Sequence, residues 1–323
     1  MTTTTDVLGA PFTAETIPFP DDHEGEVVAT LVTLLASRAT EDTSPRRAVL
    51  HVHGFADYFF QADYAAWWAA RGYDFYAVDL PKYGRSIRPH QTPNYTTDLA
   101  EYFPVLDEVW RRIRDDHDTI VVTGHSTGGL TTPLWADSRT PDGLAGMFLN
   151  SPWLDLQGPA LARIVLTPVV RQLGRFQPMR VIPRAVSGLY TRSLHREHDG
   201  EWDFDLVWKP VESFTVYAGW LRAIRHGHAQ LHAGLHVPAP VLVLSSDASG
   251  HPDPKATTVD DLVHGTDIVL DVDQIRRWST AIGSHVTYVA IPGAKHDVVL
   301  SRAEARARAY TELDRWLNAY VEG

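Results

Sequence analysis

Gly124-His125-Ser126-Thr127-Gly128 carries the strongest chemical signal in the chain. A β-branched run, 119–123 (TIVVT), precedes it and a helix-compatible segment follows, which is the setting of a nucleophile elbow. The turn is so tight that its flanks must lack side chains, and the serine stands exposed above the sheet. A serine hydroxyl is a poor nucleophile at neutral pH and needs a base. Among 16 histidines, His296 is the candidate, because 291–297 (IPGAKHD) follows the last apolar strand pattern and places an imidazole in the loop leaving it. An acyl-transfer oxyanion needs two backbone N–H groups. One is expected from Thr127, directly after the nucleophile. The other is expected from Phe55, because Gly54 lets the backbone approach closely.

Other groupings have plainer readings. His51 and His53 point the same way from a strand, but no further ligands at metal spacing stand beside them, so packing is expected. His226, His228, His232 and His236 lack nearby carboxylates and are expected in a solvated connection. Trp202, Phe204, Trp208, Phe214, Tyr217 and Trp220 read as packing of a helical segment whose apolar walls also suit an acyl chain. The chain has no cysteine, which excludes disulfides, thiolate metal sites and cysteine nucleophiles together.

These residues need elements to position them. Residues 12–19 and 27–37 read as a hairpin around Asp21, Asp22 and Gly25, and the threonine run at 2–5 as frayed. Strand patterns follow at 48–52, 74–80, 119–123 and 143–149. Helical patterns lie between them at 58–71 and 97–114, and from the elbow to 137. Strands alternating with helices imply a mostly parallel sheet flanked by helices. The alternation stops after Pro152. Residues 152–236 are rich in Arg, Trp, His and Pro, and read as a helical cap inserted between core parts 1–151 and 237–323. The alternation resumes with strands at 239–246 and 285–291 and helices at 272–282 and 302–321. Residues 248–266 have loop composition.

The 323 residues are 44% hydrophobic and 21% charged, the balance of a globular protein. With 29 basic and 40 acidic residues the net charge is −11. That argues against nucleic acid or an anionic membrane as the main partner, although a local basic patch is compatible with it. The opening residues lack a charged n-region followed by an apolar h-region, and no run reaches the roughly 18 apolar residues of a spanning helix. The expectation is a cytoplasmic protein without integral membrane association; its oligomeric state is open.

The segments 51–61 (HVHGFADYFFQ), 79–86 (DLPKYGRS), 124–129 (GHSTGG) and 291–301 (IPGAKHDVVLS) together resemble the α/β-hydrolase superfamily. The likeness is to its monoacylglycerol lipase, lysophospholipase and serine aminopeptidase-like group. The match departs slightly at Lys82 and Tyr83, where the group often has glycine, and 152–236 carries none of its motifs. The resemblance implies an α/β-hydrolase fold with a helical cap and a serine hydrolase that cleaves acyl esters through an acyl-enzyme, with no metal or organic cofactor. It also implies an acid before His296. Asp247 directly follows the strand at 239–246. Asp267 opens a segment running into a helix, 29 residues before His296. Asp267 is preferred, Asp247 is the alternative, and Asp271 suits a helix cap. An aminopeptidase or amidase would use the same triad, with Glu197, Glu201 or Glu212 to hold a substrate amine. A non-catalytic binding protein on the same fold is the other alternative.

Overall fold

Residues 3–37, 46–157, 160–184, 186–253 and 255–323 are described by the structure, a computed structural model. Among them the strands are β1 (Thr3–Thr5), β2 (Thr13–Asp22), β3 (Gly25–Leu34), β4 (Arg47–Val52), β5 (Tyr73–Asp79), β6 (Thr119–His125), β7 (Leu144–Asn150), β8 (Val241–Ser246) and β9 (Val286–Ile291). They form one sheet in the order β1-β2-β3-β5-β4-β6-β7-β8-β9. The pairs from β1 to β5 are antiparallel, and those from β5 through β4 to β9 are parallel. β8 (VLVLSS) is buried at every position and β6 at all but its first, as central strands covered on both faces must be.

The helices are α1 (Ala62–Ala69), α2 (Phe103–Arg114), α3 (Gly128–Arg139), α4 (Ala160–Phe176), α5 (Leu189–Leu194), α6 (Ala218–His232), α7 (Asp261–Gly265), α8 (Val272–Trp278) and α9 (Ala303–Tyr320). α2 starts with Pro104 in its first turn and buries Phe103, Leu106, Val109, Trp110 and Ile113 along one stripe. Helices α4, α5 and α6 lie between β7 and β8. Among the described residues no helix is long and apolar enough to cross a membrane.

Several elements differ from expectation. Thr3–Thr5 is not frayed but pairs with β2; Asp6, next in the chain, is buried against the Arg85 guanidinium at 2.6 Å and anchors the strand. Residues 58–61 are not helical. A helix from residue 58 needs the Tyr58 and Phe59 carbonyls to accept the amides of Ala62 and Asp63, but Ala62 N donates to the Phe60 carbonyl at 2.8 Å and the Phe59 carbonyl accepts Arg85 Nη1 at 2.9 Å. The α-helix expected over 272–282 ends at Trp278 and continues as a 3-10 turn. The loop at 248–266 contains the single turn α7.

Candidate active site

The turn from β6 into α3 leaves Ser126 with φ +53°, in the left-handed region that is strained for a residue with a side chain. The surroundings hold it there. The Ser126 amide donates to the Asn150 carbonyl at 3.1 Å, and the Ser126 carbonyl accepts from Trp153 N at 2.9 Å. Neither flanking glycine has room for a methyl group. A Cβ on Gly124 would come within 2.7 Å of the Gly128 carbonyl, and one on Gly128 would strike the Val52 and His53 carbonyls. A Cβ on Gly54 would lie 3.0 Å from Ser126 Cβ, so the loop after β4 is pressed against the serine.

His296 lies in the loop after β9, and its Nδ1 is 2.9 Å from Asp267 Oδ2. Asp267 is fully buried. Its Oδ1 accepts the amides of Val269 and Leu270 at 2.8 and 2.7 Å. Hydrogen bonds from Gly250 N to the Asp267 carbonyl and from Asp267 N to the Ala248 carbonyl close the neck of the 248–266 loop and fix where Asp267 re-enters the core. Asp247 is exposed and instead accepts Gly293 N at 3.2 Å. Asp271 caps α8 by accepting Asp273 N. Of the three carboxylates, the structure brings only Asp267 to His296. Ser126 Oγ and His296 share no hydrogen bond among the described residues; such contacts are often long without substrate.

Among the described residues the amides of Phe55 and Thr127 meet no acceptor, whereas those on either side of Phe55 do. Gly54 N reaches Asp57 Oδ2 at 3.4 Å and Ala56 N reaches Asn94 Oδ1 at 2.9 Å. Thr127 also sits at the N-terminus of α3, where the helix dipole favours negative charge. A void of about 10 Å³ touches Gly54, Thr127 and Trp220, enough for about one water and not for an acyl chain. The Trp220 ring lies 4.2 Å from that of Phe55.

Further residues of the site carry no sequence signal of their own. Asn150 Nδ2 donates to Asp297 Oδ1 at 2.6 Å, and Asn150 Oδ1 accepts Val298 N at 3.0 Å. Lys209, between α5 and α6, reaches Asp57 at 2.8 Å, with both side chains buried. Burial alone would raise the Asp57 carboxyl, but the Lys209 charge holds it well below the usual carboxylate range. The Tyr190 ring lies 5.6 Å from His296, edge-on. Burial lowers His125, and it brings Lys295, whose ammonium donates to the Ser193 carbonyl, down to about 8. Only their places beside the elbow and beside His296 could have drawn attention to His125 and Lys295.

Several other histidines have structural partners. His51 Nδ1 meets Thr123 Oγ1 at 2.8 Å, and His53 Nε2 accepts Leu80 N. His228 and His232 are not in a solvated connection. They lie on α6, and their Nε2 atoms bond the carbonyls of Trp153 and Leu154. Trp202 Nε1 donates to the Leu300 carbonyl and Trp208 packs on Tyr58, both on core segments. Glu197, Glu201 and Glu212 are exposed, and Glu201 pairs with Arg306 at 3.3 Å.

A mostly parallel sheet flanked by helices, with a strained serine turn at one strand end, defines the α/β-hydrolase fold. The chain belongs to the family described as "Serine aminopeptidase, S33", whose model matches residues 43–302. It is therefore a hydrolase by family. It is 26% identical over 114 residues to the phospholipase YtpA of Bacillus subtilis (strain 168), a match covering 35% of this chain and 43% of that relative's length. Among solved structures, the monoacylglycerol lipase of Paleococcus ferrophilus aligns with TM-score 0.63 at 18% identity, over 90% of this chain and 98% of that one. A soluble variant of the monoglyceride lipase of Saccharomyces cerevisiae, in complex with a substrate analog, aligns with TM-score 0.65 at 14% identity, over 95% and 96%.

Proposed function

We propose that the chain is a serine hydrolase of acyl esters, acting through an acyl-enzyme on Ser126. The observation that carries this reading is the buried 2.9 Å contact of His296 Nδ1 with Asp267, on the loop facing a serine held at φ +53°. His296 takes the Ser126 proton as the hydroxyl attacks the ester carbonyl, and then gives it to the departing alcohol. The N–H groups of Phe55 and Thr127 hold the developing oxyanion. Water deacylates the enzyme with His296 again as base. Asp267 keeps the Nδ1–H tautomer and stabilises the imidazolium.

Residues 152–236 form the cap in this reading, and Trp220 is its contribution to the acyl pocket. Monoacylglycerols or lysophospholipids are the candidate substrates, in keeping with the lipase and phospholipase names of the relatives. The family's description favours a peptide reading as a second possibility. Against it, the buried carboxylates Asp57 and Asp155 are already engaged by Lys209 and Arg225, and the candidate glutamates are exposed. A fluorophosphonate probe should label the wild type and not Ser126→Ala, and the wild type should hydrolyse short acyl esters faster than amino-acid anilides. Labelling that persists in the variant moves the nucleophile elsewhere; faster anilide turnover selects the peptidase.

A further inference from the structure

The net charge of −11 conceals an uneven distribution. Residues 156–196 contain seven arginines and not one Asp or Glu. Arg171, Arg175, Arg180 and Arg184 are exposed, and none forms an ion pair among the described residues. Elsewhere most arginines are paired, among them Arg85 with Asp6, Arg139 with Asp107 and Arg306 with Glu201.

The same stretch exposes apolar side chains. Val169, Phe176, Met179, Val181 and Val186 are 58%, 71%, 46%, 51% and 41% exposed, half of the large exposed apolar residues among the described ones. On α4 the inner side is committed. Val170 is buried, and a Cβ on Gly174 would lie 2.5 Å from the Ala218 carbonyl on α6. Val169, Arg171, Arg175 and Phe176 are therefore left to the outer side. Downstream, the Ile182 amide donates to the Val216 carbonyl and Arg184 Nη2 to Ser213 Oγ. The Arg184 guanidinium stands 5.6 Å from the Phe55 ring, so this face runs up to the loop beside Ser126.

We propose that this face docks on an anionic lipid surface, its arginines at the phosphates and Val169, Phe176, Met179 and Val181 in the headgroup–acyl boundary. Arginines interleaved with apolar side chains suit an interface that offers both phosphate and hydrocarbon. Nucleic acid would leave the apolar side chains without partners. Two copies meeting through this face would oppose their arginines. The acidic remainder of the molecule is repelled by the same lipids, so the charge asymmetry also orients the chain.

The docking is separate from the chemistry at Ser126, so the full-length Ser126→Ala chain tests it whatever the enzyme hydrolyses. Co-sedimentation is measured with vesicles of phosphatidylcholine alone or mixed with phosphatidylglycerol. Binding to the mixed vesicles that weakens at high salt is expected. Substituting Arg171, Arg175, Arg180 and Arg184 with Gln should weaken it about fivefold per arginine. Phe176→Ser with Met179→Ser should weaken it while leaving its salt dependence. Should the fourfold variant fail to fold by thermal melting, Arg171→Gln with Arg175→Gln on the outer side of α4 gives the same readout. No binding to mixed vesicles at low salt overturns the proposal. So do equal binding to both vesicle types, and a dimer in sedimentation velocity that the arginine variants dissolve.

Discussion

Asp267→Asn changes one atom, and the geometry around it dictates the consequence. Oδ1 of Asp267 accepts two backbone N–H groups, from Val269 and Leu270, while Oδ2 accepts His296 Nδ1–H. An asparagine here must keep its oxygen on the two amides, because turning the NH2 towards them would oppose donor to donor at a buried site. The NH2 then faces His296 Nδ1, which becomes an acceptor. The imidazole proton moves to Nε2, the nitrogen that has to receive the Ser126 proton. The variant keeps its fold and loses its base. The comparable change in a serine protease triad lowers kcat by about 10⁴, and a loss of roughly 10³–10⁴ is expected here. Turnover of a soluble acyl ester measures it, with thermal melting as the folding control. Asp247→Asn, at an exposed carboxylate with a single 3.2 Å contact to Gly293, should stay within a few-fold of wild type. Near-wild-type turnover of Asp267→Asn, or loss in Asp247→Asn, refutes the reasoning.

Lys209→Met leaves Asp57 buried without its cation and should cost about 3–5 kcal/mol in urea unfolding, with most of it recovered in the Lys209→Met/Asp57→Asn pair. A double variant no more stable than the single one contradicts the ion-pair account. Lys295 has its folded pKa lowered to about 8, so wild-type stability should rise with pH between about 8 and the unfolded lysine value near 10.4. Lys295→Met should lose that rise, and denaturation across this window measures it. Trp220→Ala removes the indole that bounds the small void at Gly54 and Thr127, and should shift relative rates on an ester series towards longer acyl chains; an unchanged profile places the acyl pocket elsewhere.

What was legible in the chain follows from which interactions are local. Ser126 is readable because a tight strand-to-helix turn demands glycine at fixed offsets, and the alternation around it outlines the central parallel strands. Asp267 could be preferred to Asp247 because its segment runs into a helix, although the neck that returns it to the core is a pairing of residues 248–250 with 267. The helix expected from residue 58 went wrong for the same reason. The spacing of Tyr58, Phe59 and Phe60 fits a helix, but Arg85, distant in sequence, takes the Phe59 carbonyl that the helix would use. Lys209 and Asp57 are 152 residues apart and share no pattern, so only the fold reveals them. The threonines at 3–5 are weak as a strand in isolation, and become one through the buried Asp6–Arg85 pair.

Asn150 is where the halves of the site meet. Its carbonyl holds the amide of Ser126, while its side chain donates to Asp297 and accepts from Val298, the two residues after His296. Ser126 and His296, the proposed nucleophile and base, lie 170 residues apart in the chain, and this one side chain ties their positions together. Asn150→Asp preserves the shape and replaces the donor with an oxygen, 2.6 Å from Asp297 Oδ1. Two buried carboxylates at that distance cannot both ionise, so the pair takes up a proton and one of its pKa values rises. The folded state then binds more protons than the unfolded chain between the ordinary Asp value near 3.9 and that raised value. By linkage, the stability of the variant must fall relative to wild type as pH rises through this window. Turnover should fall along with it, because the shared proton is what keeps the 296–298 loop on the elbow. Urea unfolding and ester turnover, followed for both proteins from about pH 5 to pH 8, test the coupling. Parallel stability curves would mean that the Asn150–Asp297 contact does not hold the base in register with Ser126.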